Sequence, residues 1–122
     1  MSGDCPQPFA YDIEVRGDHL VVRQRGLLTV DVALQFQKVV EDEMAKAGVR
    51  LVIFDNRQTD RPEEMVRAVM WTWLGSTTCL DRLALVLVKE RNTRRANEAA
   101  DRNRVRVAAF FDEQDAVDWL RS

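Results

Sequence analysis

The side chains of this sequence that could do chemistry are few and scattered. His19 is the single histidine. It follows Gly17-Asp18, a turn dipeptide, which makes it a surface turn residue rather than a neutral-pH base. Cys5 and Cys79 are the two cysteines, far apart in the chain and without a CxxC spacing. With one histidine they cannot assemble a Cys/His metal site, so neither a metal nor another cofactor is expected. Cys79 has no histidine to activate it and reads as an ordinary thiol. No Gly-rich phosphate loop, G-x-S-x-G or H-E-x-x-H occurs. One constellation remains: Asp55 ends the run Leu-Val-Ile-Phe-Asp, Arg57 follows it, and Lys89 ends the next apolar run. Carboxyl ends of central strands are where open α/β sheets place ligands, so Asp55, Arg57 and Lys89 could form a ligand rim. A catalytic version would make Asp55 a base or a metal ligand and Arg57 or Lys89 an anion clamp. The plainer version has Asp55 satisfying loop amides or a local ion pair, and no catalytic residue is assigned.

Two other groups bear on binding. Arg91, Arg94, Arg95, Arg102, Arg104 and Arg106 form a basic cluster interrupted by Glu98 and Asp101, and Arg94 and Glu98 stand at i,i+4 spacing. That spacing predicts a solvated, self-paired helix face rather than a nucleic-acid site. Further upstream, a helical wheel centres an apolar face between Val69 and Trp73 and points Trp71 about 150° away, one turn from Arg67. Trp and Arg dominate interface hot spots, so Trp71 and Arg67 are the candidate partner-binding residues; the structural alternative is a packed cation-π pair.

The elements that position these residues follow from periodicity. Residues 1–10 carry two Pro and a Gly and read as a loose lead-in to one domain over 11–122. Tyr11, Ile13 and Val15 alternate with Asp12, Glu14 and Arg16, and after the turn residues 19–25 return as the second strand of a hairpin. Thr29 or Asp31 can cap a helix of about fifteen residues with Val32, Ala33, Phe36, Val40, Met44 and Ala47 on its apolar side, ended by Gly48. Residues 50–54 form a strand buried on both faces. Asp60 and Glu63 have capping-box spacing with Pro62 between them, predicting a helix from about residue 61 to Gly75, with Met65, Val66, Val69, Met70, Trp73 and Leu74 facing the core. Residues 83–88 are the next strand. A helix near 92–101 offers only Ala96, Ala99 and Ala100 for packing, so its backbone must approach the sheet closely. Residues 105–109 make an edge strand, and Asp112 caps a last helix, with Phe111 positioned to staple onto Ala116. The order ββαβαβαβα implies a mostly parallel five-stranded sheet with its first strand antiparallel and four helices.

Composition narrows the class. The chain has 122 residues, 46% of them hydrophobic, and a net charge of −2. That length suits one domain able to bury a core without disulfides. Near-neutral charge gives no global field for nucleic acid, and no apolar run is long enough for stable membrane insertion. The start lacks a basic, then apolar, leader, so a cytoplasmic protein with reduced thiols is expected.

With the elements placed, the chain resembles the SpoIIAA-like group of the STAS superfamily. The resemblance covers residues 11–121 and rests on the hairpin YDIEVRGDHLVVRQRG, the strands LVIFD and LALVLV, and above all the closing segment FFDEQDAVDWL, similar to an F-x-D-E-x-x-A-x-x-W-L tail of bacterial SpoIIAA-like proteins. It implies a SpoIIAA-like sandwich. In anti-sigma factor antagonists of this superfamily a serine near the second helix is phosphorylated within D-S-S-G or D-S-x-G. The matching stretch here, Asp55-Asn-Arg-Gln-Thr-Asp-Arg-Pro-Glu-Glu64, has no serine, and Thr59 is the one hydroxyl that could be a phosphoacceptor. The resemblance implies a non-enzymatic regulatory domain acting on a protein partner or on a second copy as a homodimer. SEC14 lipid-transfer domains are grouped near STAS folds. The competing function is therefore a small apolar or lipid-like ligand held between the second helix and the sheet, among Met65, Met70, Phe36 and Phe54, with arginines of the third helix at its head group.

Overall fold

The computed structural model of the chain describes residues 7–103 and 105–122. Nine elements follow in order: β1 (Ala10–Arg16), β2 (His19–Gly26), α1 (Val30–Ala47), β3 (Leu51–Thr59), α2 (Glu64–Ser76), β4 (Arg82–Val86), α3 (Glu90–Asn103), β5 (Val107–Phe110) and α4 (Glu113–Leu120). The strands lie in sequence order in one sheet, β1 antiparallel to β2 and all other pairs parallel. This is the expected ββαβαβαβα sandwich, with β5 at an edge.

Monotonic strand order sends every right-handed crossover to the same face. Leu20, Val22, Val52, Phe54 and Leu83 accordingly form one core with Phe36, Val40 and Met44 of α1, Trp73 of α2 and Ala100 of α3. The alternate residues Val21, Ile53, Ala84 and Val86 pack instead on Ala116 and Leu120 of α4. Three helices therefore cover one face and a single short helix the other. Asp112 caps α4 as expected, its side chain accepting from the Gln114 amide at 2.6 Å. Gly48 ends α1 in a left-handed conformation.

Several boundaries differ from the pattern-based expectation, each for a reason in the backbone. β3 runs to Thr59 because its polar second half stays in the ladder: Gln58 pairs with Arg25 and Thr59 with Gly26. The Asp60 amide then donates to the Gly26 carbonyl at 2.9 Å, which keeps the chain extended. The Asp60/Glu63 capping box cannot form, and α2 begins three residues late behind Glu63, with no side-chain cap. Met65 in that overhanging first turn is 67% exposed, not core, and Val32 is likewise solvent-facing. β4 stops at Val86, leaving Val88 65% exposed, and Phe111 is half exposed rather than stapled. Of the expected lead-in, residues 1–6, with Cys5, lie outside the described residues, while Phe9 packs edge-on against Phe36 and Pro8 bridges to Leu27.

Candidate functional site

A groove of about 940 Å³ lies between α2 and α3, over the carboxyl ends of the central strands. Its existence follows from the composition of α3. Ala96 and Ala99 line it because an alanine-faced helix projects nothing far enough to fill the space beside α2. Phe54 and Leu85 of the sheet and Met70, Trp71 and Leu74 of α2 add apolar surface. Met70 is held by α1, whose Gln37 amide donates to its Sδ at 3.3 Å. Arg61, Arg67, Lys89, Arg95 and Arg102 supply positive charge around the groove, against Asp60, Glu64 and Glu98. Among the described residues none of those five cations is ion-paired.

The partner candidates fall here, in a different attitude from the one expected. Trp71 is partly buried, packed on the main core and lining the groove. A wheel drawn for α2 alone points it away from the sheet, but the main core covers part of the ring and the rest lines the groove that α3 closes on its other side. Arg67 does not stack on it: its guanidinium donates to the Pro62 carbonyl, and the cation-π contact among the described residues is Arg82 over Trp119. Of the residues expected to enclose a ligand, Phe54 and Met70 line the groove; Met65 is exposed and Phe36 is sealed in the core beneath.

The proposed rim divides. Arg57 and Lys89 border the groove, whereas the Asp55 carboxylate belongs to an ion-pair network with Arg23 of β2 and Glu113 of α4. Arg57 donates Nε and Nη2 to Asp55 at 2.9 and 2.8 Å, its own amide adds a third bond at 3.2 Å, and Arg23 Nη1 a fourth at 2.9 Å. Arg23 Nη1 also reaches Glu113 Oε1 at 3.0 Å. Hydrogen bonding by the Arg57 guanidinium holds the Asp55 carboxyl below the usual carboxylate range, against the opposing effect of burial. Its lone pairs are engaged and its basicity is reduced, the reverse of what a general base needs.

Thr59 is the last residue of β3, not part of a loop before α2; it is partly buried and its hydroxyl donates to the Asn56 carbonyl at 2.9 Å. His19 is no surface turn residue. It is 3% exposed, opening β2 beside Asp18, whose carboxylate lies 2.8 Å from its Nδ1 and also accepts from Arg121 at the end of α4. Those two partners draw Asp18 down to about 2. In the basic cluster, Arg94 and Glu98 form no ion pair and Arg104 lies outside the described residues. The described residues contain no group of three or more His, Cys, Asp or Glu placed to hold a metal. No helix among them is long and apolar enough to cross a membrane.

No family model matches the chain, and no curated protein does. Solved structures do. A protein of the DUF3478 family from Shewanella loihica PV-4, with a SpoIIAA-like fold, superposes with a TM-score of 0.69 over 98% of both chains at 24% identity. An anti-sigma factor antagonist from Mycobacterium paratuberculosis gives 0.71 over 94% of this chain and 96% of that one, at 10% identity. The anti-sigma factor antagonist SpoIIAA in its unphosphorylated form gives 0.64 over 93% and 99%, at 17%. The chain has the SpoIIAA-like fold. In this SpoIIAA-like domain, two groove residues carry no signal that pattern reading could detect, Gln24 on β2 and Asn56 on β3. A polar residue within a strand reads as solvent-facing, and only the sheet register shows that both fall on the helix-covered side with Val22 and Phe54.

Proposed function

We propose that this chain is a non-enzymatic, regulatory SpoIIAA-like domain that works by protein-protein contact, and that the mouth of the α2–α3 groove is its contact surface. The observation carrying this reading is the rim: Val88, 65% exposed, and the partly buried Trp71 are apolar side chains that line the groove together with Arg61, Arg67 and Lys89. Apolar anchors ringed by cations suit a partner, or a second copy, that presents an apolar residue flanked by acids. Two neighbours of the same fold are anti-sigma factor antagonists, which agrees with a regulatory role. The test is capture from the native cell by wild type, Arg67→Ala and Trp71→Ala, with identification of what is captured and the self-association state of each variant by sedimentation. Loss of one defined partner, or of the dimer, in both variants supports the reading; unchanged capture and mass by all three overturns it.

A second reading rests on the groove's volume and apolar floor, which suit a small apolar ligand. Native mass spectrometry separates the two: a co-purifying small molecule favours the ligand, a bare chain mass with a retained protein partner favours the first.

A further inference from the structure

Two buried polar atoms in the groove wall have no hydrogen-bond partner: Gln24 Nε2 and Asn56 Oδ1. Gln24 is only 5% exposed. The two side chains are neighbours, since the β2–β3 register shifts between Arg23 and Arg25, so that Gln24 stands opposite the Asn56-Arg57 step. An unpaired buried donor and an unpaired buried acceptor each carry a desolvation cost that native proteins seldom leave uncompensated. Both residues line the groove, and their terminal amide torsions are soft enough for the free atoms to reorient toward a bound group.

We propose that the groove ends in a polar subsite, Gln24 with Asn56, that receives the neutral head of an apolar molecule: a group that accepts from Gln24 Nε2 and donates to Asn56 Oδ1. A primary carboxamide does both through adjacent atoms and a hydroxyl through one, whereas a carboxylate lacks the donor and leaves Asn56 Oδ1 facing like charge. The apolar body of the molecule lies along Phe54, Met70 and Trp71. The subsite rests on the small-ligand reading of the groove and adds to it the class of head group.

The experiment titrates the intact chain with octanamide, 1-octanol and octanoate, following tryptophan fluorescence and the side-chain amide resonances of Gln24 and Asn56. Octanamide and octanol are expected to move both resonances and to bind at least about fivefold more tightly than octanoate, and Gln24→Met and Asn56→Leu to remove that preference while leaving octanoate binding unchanged. Gln24→Met keeps side-chain length and volume, so it reports even where Asn56→Leu fails to fold. Octanoate binding as well as octanamide, with affinities indifferent to both substitutions, overturns the subsite and leaves the small-ligand reading standing. No binding by any of the three overturns the subsite and that reading together. Side-chain resonances showing the two amides bonded to each other before any probe is added overturn the subsite alone.

Discussion

Replacing Asp55 by Asn tests whether its network is structural. The substitution keeps the shape of the side chain and removes one negative charge from between two guanidinium groups. Asp55 is 11% exposed at its side chain, while Arg23 and Arg57 are 38% and 42% exposed. Hydrogen bonds to charged groups contribute about 1.5–3 kcal/mol each in mutational series. The wet arginines recover hydration, and Arg23 keeps Glu113, so the net cost is that of a single such bond, about 2 kcal/mol. For a chain of this length that lowers Tm by roughly 6–10 °C. The acid dependence has a definite sign. Asp55 has a folded-state pKa below its unfolded value of about 3.9, so its stabilisation is complete above that value and disappears as pH falls through the folded one. Thermal melts of wild type and Asp55→Asn should therefore differ at pH 7, begin to converge below about pH 4 and meet only once pH has fallen through the lower, folded-state pKa. Asp18, also acid-shifted, is present in both proteins and cancels in the difference. Equal melting at pH 7, or a gap that persists undiminished at pH 2, would refute the assignment. An activity lost in Asp55→Asn with no change in Tm would return the residue to catalysis.

Substitutions at four further positions probe the surrounding frame. Trp71→Ala should lower stability by about 1–2 kcal/mol in urea titration, less than a fully buried tryptophan would cost, because the ring is only partly buried; a loss above about 4 kcal/mol would place it in the core proper. At Gly26, φ is +85° and an added Cβ would stand 2.3 Å from the Pro8 carbonyl oxygen, whereas at Gly17, φ +63°, it would meet nothing within 4 Å. Gly26→Ala should thus destabilise by several kcal/mol or prevent folding, and Gly17→Ala by only about 1 kcal/mol; comparable melting of the two would contradict the close approach. Glu41 Oε2 accepts from Trp73 Nε1 at 2.9 Å and Thr77 Oγ1 at 2.7 Å. Glu41→Ala should cost about 1–2 kcal/mol and Glu41→Gln distinctly less, read by the same titration.

The order of elements was legible because each carries its own periodicity. Residues 51–54 and 83–86 are apolar runs that only a sheet covered on both faces accommodates, and Phe36, Val40 and Met44 mark one side of a helix. Features fixed by another segment's backbone were not legible. Asn56 to Thr59 is a polar stretch with no strand pattern, yet it stays in the ladder through its pairing with Arg25 and Gly26. The same pairing keeps Asp60 from capping α2. His19 reads as a turn residue until the C-terminal end of α4 brings Arg121 to Asp18 beside it.

The candidate site shows the same division more sharply. Its cationic and aromatic members, Arg67, Trp71, Arg57 and Lys89, could be picked out one at a time by residue type. The groove that gathers them could not, because it is made by what α3 lacks. A helix with alanine as its only apolar surface must sit close to the sheet, yet those alanines reach no distance sideways toward α2. The space left over is therefore a consequence of the same composition that seats the helix, and filling it should separate the two effects. Ala96 lines the groove and is only partly buried, whereas Ala100 is 1% exposed in the core. Ala96→Leu should leave stability within about 1 kcal/mol of wild type while reducing occupancy of the groove by any of the three octyl probes. Ala100→Leu should cost about 1–3 kcal/mol by overpacking. Equal destabilisation by both substitutions would mean that α3 seats on Ala96 as tightly as on Ala100, and that the space between the helices is too shallow to hold a ligand.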